Sequence, residues 1–205
     1  MRFTSHLDLA RTWERALRRA EVPLVYSQGF NPRPQIRLAA ALPLGYVGKS
    51  ELLDMTLTHP VPLDALSKRI TAALPNGLTL RQAEEVPLAA PSLQSQVRSA
   101  TYRVYLNADV LAQAVRERVA RFLAEDTFPW TRRSHKGKTR QVDLRALVKE
   151  LALRETASGQ FVLEMRLQHD SELTGRVDEV IAALEMTDAV RLIERTVVES
   201  ERVGE

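Results

Sequence analysis

Residues 6–20 constrain this chain more than any other stretch. At about 100° per residue, Leu9, Ala10, Trp13, Ala16, Leu17 and Ala20 fall on one face of a helix. Arg11, Arg15, Arg18 and Arg19 fall on the opposite face. Such a separation specifies an amphipathic helix whose apolar stripe must be covered. Ser5 and Asp8 supply an S-x-x-D start, in which Ser5 accepts a bond from a first-turn amide and Asp8 favours the positive helix end. Pro23 cannot continue the helix, so the chain turns near residues 21–23. The arginine face has two readings. One is an ordinary solvated face. The other is a phosphate-binding stripe, because the arginines outnumber the nearby acids Asp8 and Glu14. His6 and Asp8 invite an acid–base reading, but two residues apart on a helix they do not face each other. A cap for Asp8 and a first-turn contact for His6 fit that spacing better.

Leu24, Val25 and Tyr26 suit a strand, and residues 27–34, with Gly29, Pro32 and Pro34, form an ordered loop. Phe30 offers a stacking surface there, Asn31 a polar reader and Arg33 a cation, a mixture that suits single-stranded nucleic acid. The alternative is that Phe30 plugs the core and the prolines stiffen the loop. Residues 51–58 read as a strand with Leu53, Met55 and Leu57 on one face and Asp54 on the other, where Asp54 is solvated, pairs with a helix arginine, or orients a ligand. A second helix follows over 63–74, and residues 78–82 read as a further strand. The order strand, helix, strand, strand, helix, strand is that of a ferredoxin-like βαββαβ unit.

Residues 84–98 carry Pro87, Pro91, Ser92 and Ser95 and read as a linker or crossover. The layout then repeats in outline. Strands are expected over 101–106, 128–132, 161–167 and 190–198, and helices over 109–124 and 176–184. The predicted fold class is therefore α+β, with two ferredoxin-like halves over residues 1–90 and 91–205. Between the second half's first helix and its later strands lies a glycine-centred basic turn at residues 134–140. Trp130, Arg132, Arg133, His135, Lys136, Lys138 and Arg140 put an aromatic beside a cluster of donors, as an arm that closes on an RNA backbone would. Hairpin tips are also basic simply because they are wet. The spacing is not that of a Walker A loop.

The segments Arg2-Phe3-Thr4-Ser5-His6-Leu7-Asp8-Leu9, Arg18-Arg19-Ala20, Pro23, Tyr26-Ser27-Gln28-Gly29-Phe30-Asn31-Pro32 and Leu42-Pro43-Leu44-Gly45 together resemble the radical SAM-linked protein family. The match is dense over residues 2–54, including Glu51 and Asp54, and follows the family in layout to about residue 198. Members occur alone or fused behind a radical SAM enzyme, and the family is largely of unknown function. The resemblance implies a link to radical SAM chemistry on RNA without supplying a reaction. Where the family often has His in the Pro-x-Pro loop, this chain has Arg33, which argues against a metal role there.

Composition bounds the rest. The chain has 205 residues and no Cys, so its own thiolates hold no iron–sulfur cluster and radical chemistry would belong to another chain. No apolar run approaches membrane-spanning length and no signal-peptide core is present, which leads us to expect a cytoplasmic protein. The net charge of +3 is uneven: residues 1–49 hold eight Lys/Arg against three Asp/Glu, and residues 170–205 hold four against ten. Basic patches on an otherwise balanced chain fit an acidic polymer better than a membrane. His59 and His169 are isolated, and no HExxH, CxxC or GxSxG pattern occurs, so no metal or cofactor is expected.

The leading expectation is a non-catalytic RNA-binding module that presents structured RNA to a radical SAM enzyme. Arg11, Arg15, Arg18, Arg19 and the turn residues Arg132, Arg133, Lys136, Lys138 and Arg140 would hold phosphates. Phe30 and Asn31, with Arg33, would contact a base. The alternative is an enzyme or ligand carrier whose pocket joins Ser5, His6, Asp8, Gln28 and Asp54. A third reading is a purely structural partner of the radical SAM protein.

Overall fold

The computed structural model describes residues 1–133, 137–170 and 172–201. The chain is α+β and divides into two units, one comprising Met1–Gly45 and Glu51–Ser95, the other Tyr46–Ser50 and Gln96–Glu205.

In the first unit, α1 spans His6–Arg19. Ser5 caps it: its hydroxyl accepts from the Asp8 N–H at 3.2 Å and donates to the Asp8 carboxylate at 2.7 Å. Ala16 and Leu17 are wholly buried, as the periodicity requires. The helix ends before Pro23, in a Schellman turn. The Val22 N–H bonds to the Leu17 carbonyl and the Glu21 N–H to that of Arg18, each at 3.0 Å, with Glu21 left-handed at φ +50°. A second helix, which we call α2, spans Leu63–Ala73 and lays Leu66 and Ile70 against Leu17, Ala20, Val22 and Leu24. The two helices cap each other's last carbonyls. Arg19 donates to the Ala73 carbonyl at 2.7 Å. Arg69 donates to that of Ala20 at 2.8 Å and also to that of Glu21. Guanidinium groups at two helix C-termini satisfy orphan acceptors and oppose both helix dipoles.

The strands of this unit are short. β1, Ile36–Leu38, pairs antiparallel with β3, Leu53–Met55, so that Arg37 stands opposite Asp54. An isolated bridge joins Leu24 to Leu57. The strand expected over 78–82 does not form. Leu80 still packs on the core, but in no strand. Among the described residues the first unit thus holds a two-stranded sheet where four strands were expected. Alternation specifies which side chains turn inward; it does not supply a neighbour with free hydrogen bonds.

Between them, β2 (Tyr46–Gly48) belongs to the second unit although the chain on either side of residues 46–50 belongs to the first. Leu93–Gln96 forms a single helical turn, α3, before β4 (Val97–Leu106) and α4 (Ala112–Ala124). A hairpin follows, β5 (Pro129–Arg133) with β6 (Thr139–Asp143), then the short α5 (Leu144–Leu147). β7 (Val148–Glu155), β8 (Phe161–Gln168), α6 (Val177–Ala183) and β9 (Val190–Ser200) complete the unit. The sheet order is β2-β9-β4-β8-β7. Its last four strands are interleaved as in a split βαβ layout, with the β5–β6 hairpin inserted after α4. Tyr102, Val104, Leu163, Met165 and Leu167 turn to one face, under Val115, Val119, Phe122 and Val180 of the helices. On the other face charges alternate in sign across the ladder: Arg103 meets Glu164 at 2.6 Å, and Arg166 meets Glu150 at 2.8 Å and Glu199 at 3.3 Å.

The mutual capping makes Arg69 a stability residue. Arg69→Met keeps the apolar stem and removes the donors, leaving two helix-end carbonyls short of a partner; unfolding should become easier by about 1–3 kcal/mol. Urea denaturation read from Trp13 emission in a Trp130→Phe background measures it. An unchanged midpoint would refute the role.

Candidate nucleic-acid interface

The arginines expected to form one stripe on α1 divide into two kinds. Arg11, Arg15 and Arg18 project into solvent. Arg11 meets Asp8 at 3.3 Å, with both side chains more than half exposed. A pair of that kind is worth about 0.2–1 kcal/mol and yields readily to a phosphate. Arg19 is different: it is held on the Ala73 carbonyl, so its first task is to cap α2. Rises of about 6 Å from Leu7 to Arg11 and from Arg11 to Arg15, then about 4.5 Å to Arg18, set the exposed ridge along the helix.

The loop of residues 27–33 is closed by its own backbone. Tyr26 bridges Pro34, the Ser27 N–H reaches the Arg33 carbonyl at 2.8 Å, and the Arg33 N–H returns to the Ser27 hydroxyl at 3.0 Å. Gly29, at φ +137°, takes the backbone conformation closed to other residues. This ordered loop holds Phe30 entirely in solvent, at 106% relative exposure, with Gln28, Asn31 and Arg33 also exposed. Phe30 therefore does not plug the core. One aromatic that the sequence reading passed over joins it on the surface of this unit: Phe3 is 76% exposed, with the Arg2 guanidinium 5.2 Å from its ring centre. Its position before the helix start, outside any alternating run, was the available signal.

In the second unit the basic hairpin also divides. Arg132, expected to hold a phosphate, turns inward. Its Nε donates to both oxygens of Glu179, at 2.8 and 2.9 Å, and its Nη2 to Glu179 at 2.6 Å and the Thr174 carbonyl at 2.7 Å. Both side chains are about nine-tenths withdrawn from water. Trp130, expected beside the donors, packs instead with Phe128 and the core, ring centres 6.4 Å apart. Arg133, Lys138 and Arg140 stay exposed. Lys136 and His135 lie outside the described residues. At the base, the Asp143 carboxylate accepts from the Phe128 and Arg145 amides at 2.9 and 3.0 Å. The Phe128 amide, followed by those of Ala146 and Arg145, holds the Asp143 carboxyl below its ordinary range.

The five residues proposed for a pocket have separate tasks. Ser5 and Asp8 are taken up by the α1 cap and Asp8 also by Arg11. Gln28 lies on the exposed loop, and Asp54 on β3. The Nδ1 of His6 is shielded from water and has no hydrogen-bond partner. None of the five lines the groove of about 310 Å³ formed by Phe122, Phe128 and Leu184 among others, or that of about 540 Å³ formed by Arg19, Arg69 and Leu74 among others. Among the described residues no group of three His, Asp or Glu could hold a metal ion. Burial, then Arg195, keeps the pKa of His169 low. No described helix is long and apolar enough to cross a membrane.

Asp143 makes the hairpin base acid-sensitive. A carboxyl whose folded pKa is depressed contributes fully above its ordinary range and loses that contribution as pH falls through the depressed value. Trp130 emission should therefore report loosening of the hairpin in acid, and Asp143→Asn should flatten that acid limb. An identical acid limb in the variant would remove Asp143 as its cause.

The chain belongs to a family described as an uncharacterized protein conserved in bacteria (DUF2344), whose model matches residues 1–177. No curated protein matches it. Among solved structures it is similar to a chain of the crystal structure of a Cbf5-Nop10-Gar1 complex, at 9% identity and a TM-score of 0.49. The alignment covers 95% of this chain and 45% of that one, so the chain spans under half of that neighbour's length.

Proposed function

We propose that this DUF2344 family member is a non-catalytic RNA-binding module that works with a radical SAM enzyme in RNA modification or processing. The observation that carries the RNA part is Phe30, wholly exposed on a loop that its own backbone keeps closed. An aromatic ring left in water on an ordered loop is a stacking platform awaiting a flat partner. Stacking one base on it is worth about 1–3 kcal/mol. Arg33 on the same loop and Arg11, Arg15 and Arg18 in the same unit supply charge for the backbone beside that base. Asn31 offers an amide to a base edge.

The radical SAM partner is supported by the resemblance of residues 2–54 alone. Because the chain has no Cys, the cluster chemistry would be the partner's. A second reading, a ligand pocket about His6, is favoured by the shielded, partnerless Nδ1. It is weakened by the engagement of Ser5 and Asp8 in the helix cap.

The double variant Arg15→Gln/Arg18→Gln should weaken binding of single-stranded RNA and flatten its salt dependence by about 1.4 in log K against log salt, at about 0.7 per phosphate contact. Arg19→Gln should act on folding stability instead. Fluorescence anisotropy across a salt series measures the slopes. An unchanged slope in the double variant would remove α1 from the interface.

A further inference from the structure

We infer that the two units take different parts of one RNA: the Phe30 loop an unpaired segment, and the β5–β6 hairpin the backbone of a duplex. The inference rests on the RNA-binding reading and adds the substrate class, a stem bearing an unpaired extension.

Side-chain chemistry carries it. The first unit exposes an aromatic where bases can stack, and base stacking requires that the bases be free of a duplex. Among its described residues the hairpin leaves no aromatic ring fully exposed. Trp130 is half-buried, packed with Phe128 against the core. Apart from Pro129 and Gly137, its described exposed residues are polar: Thr131, Arg133, Thr139 and Gln141 share one face of the ribbon, Arg140 stands on the other, and Lys138 is exposed beside them. Such side chains bond to phosphate and sugar oxygens. A-form RNA is recognised in just this way, by shape and by phosphate and 2′-hydroxyl contacts. The hairpin is also held rather than loose. Arg132 clamps it to Glu179 of α6, and Asp143 ties its base to the Phe128 and Arg145 amides. A rigid two-stranded ribbon is pre-organised for a regular backbone, and a covalent link between the two units makes their contacts cooperate on an RNA that carries both parts.

The test uses the full chain and three RNA probes: a single-stranded oligonucleotide, a blunt duplex, and the same duplex with an unpaired extension. The unaltered protein should bind the extended duplex most tightly. Phe30→Ala should weaken binding of the single strand and the extended duplex by about 5- to 150-fold and spare the blunt duplex. Arg133→Gln/Arg140→Gln should weaken both duplexes, flatten their salt slope by about 1.8, and spare the single strand. All three substituted residues are exposed, and unchanged Trp emission checks that the fold survives. The inference falls if each variant weakens all three probes alike, if either variant has no effect, or if the extension gives the duplex no advantage. Binding of the single strand alone, with an inert hairpin, would overturn it and leave the RNA-binding reading standing. Binding of none of the probes at low salt would overturn both.

Discussion

Arg132 and Glu179 give up nearly all of their hydration to meet each other, and the hairpin of the second unit depends on that meeting. Withdrawing two ions from water costs several kcal/mol each, and only close, multiple contacts offset it. Here three N–O contacts of 2.6–2.9 Å and a further bond to the Thr174 carbonyl do so. Removing Glu179 would strand the buried Arg132 guanidinium, at a cost of about 3–5 kcal/mol, whereas without Arg132 the Glu179 carboxylate still has Arg176 at 3.6 Å. The hairpin is therefore fixed from within by one arginine, while Arg133 turns to the opposite face and Arg140, the cross-strand partner of Arg132, stays exposed.

The same division runs through the first unit. Arg19 and Arg69 are used on helix-end carbonyls, and by binding α1 to α2 they hold the helix on which Arg11, Arg15 and Arg18 stand. Structural arginines thus build the scaffold from which solvent-facing arginines project. Phe30 follows an analogous logic. Its loop is closed by Ser27, Arg33 and the left-handed Gly29, so the ring is held in water by the backbone.

Much of the scaffold was legible in the sequence where a period ran long enough. α1 shows its face over fifteen residues, and β4 and β8 show theirs by alternation. Residues 78–82 mislead because two apolar side chains satisfy the alternation without a pairing edge. The roles of the arginines were not legible. Arg18 and Arg19 are neighbours with the same side chain, and only the position of the Ala73 carbonyl, 54 residues on, separates them. Arg132 and Glu179 lie 47 residues apart, and an acid in the first turn of a helix reads as an ordinary dipole partner. β2 is hidden for the same reason: three residues inside one unit's sequence complete the other unit's sheet, paired parallel to β9.

The central claim is that the Phe30 loop and the exposed ridge of α1 touch RNA. Ultraviolet cross-linking of RNA co-purified under gentle salt, with the adducts mapped by mass spectrometry, tests it most directly. The account predicts nucleotide adducts on peptides containing Phe30, since a stacked ring is in direct contact with a base. Co-purified RNA whose adducts fall elsewhere, with none on the 27–33 loop or α1, would contradict it.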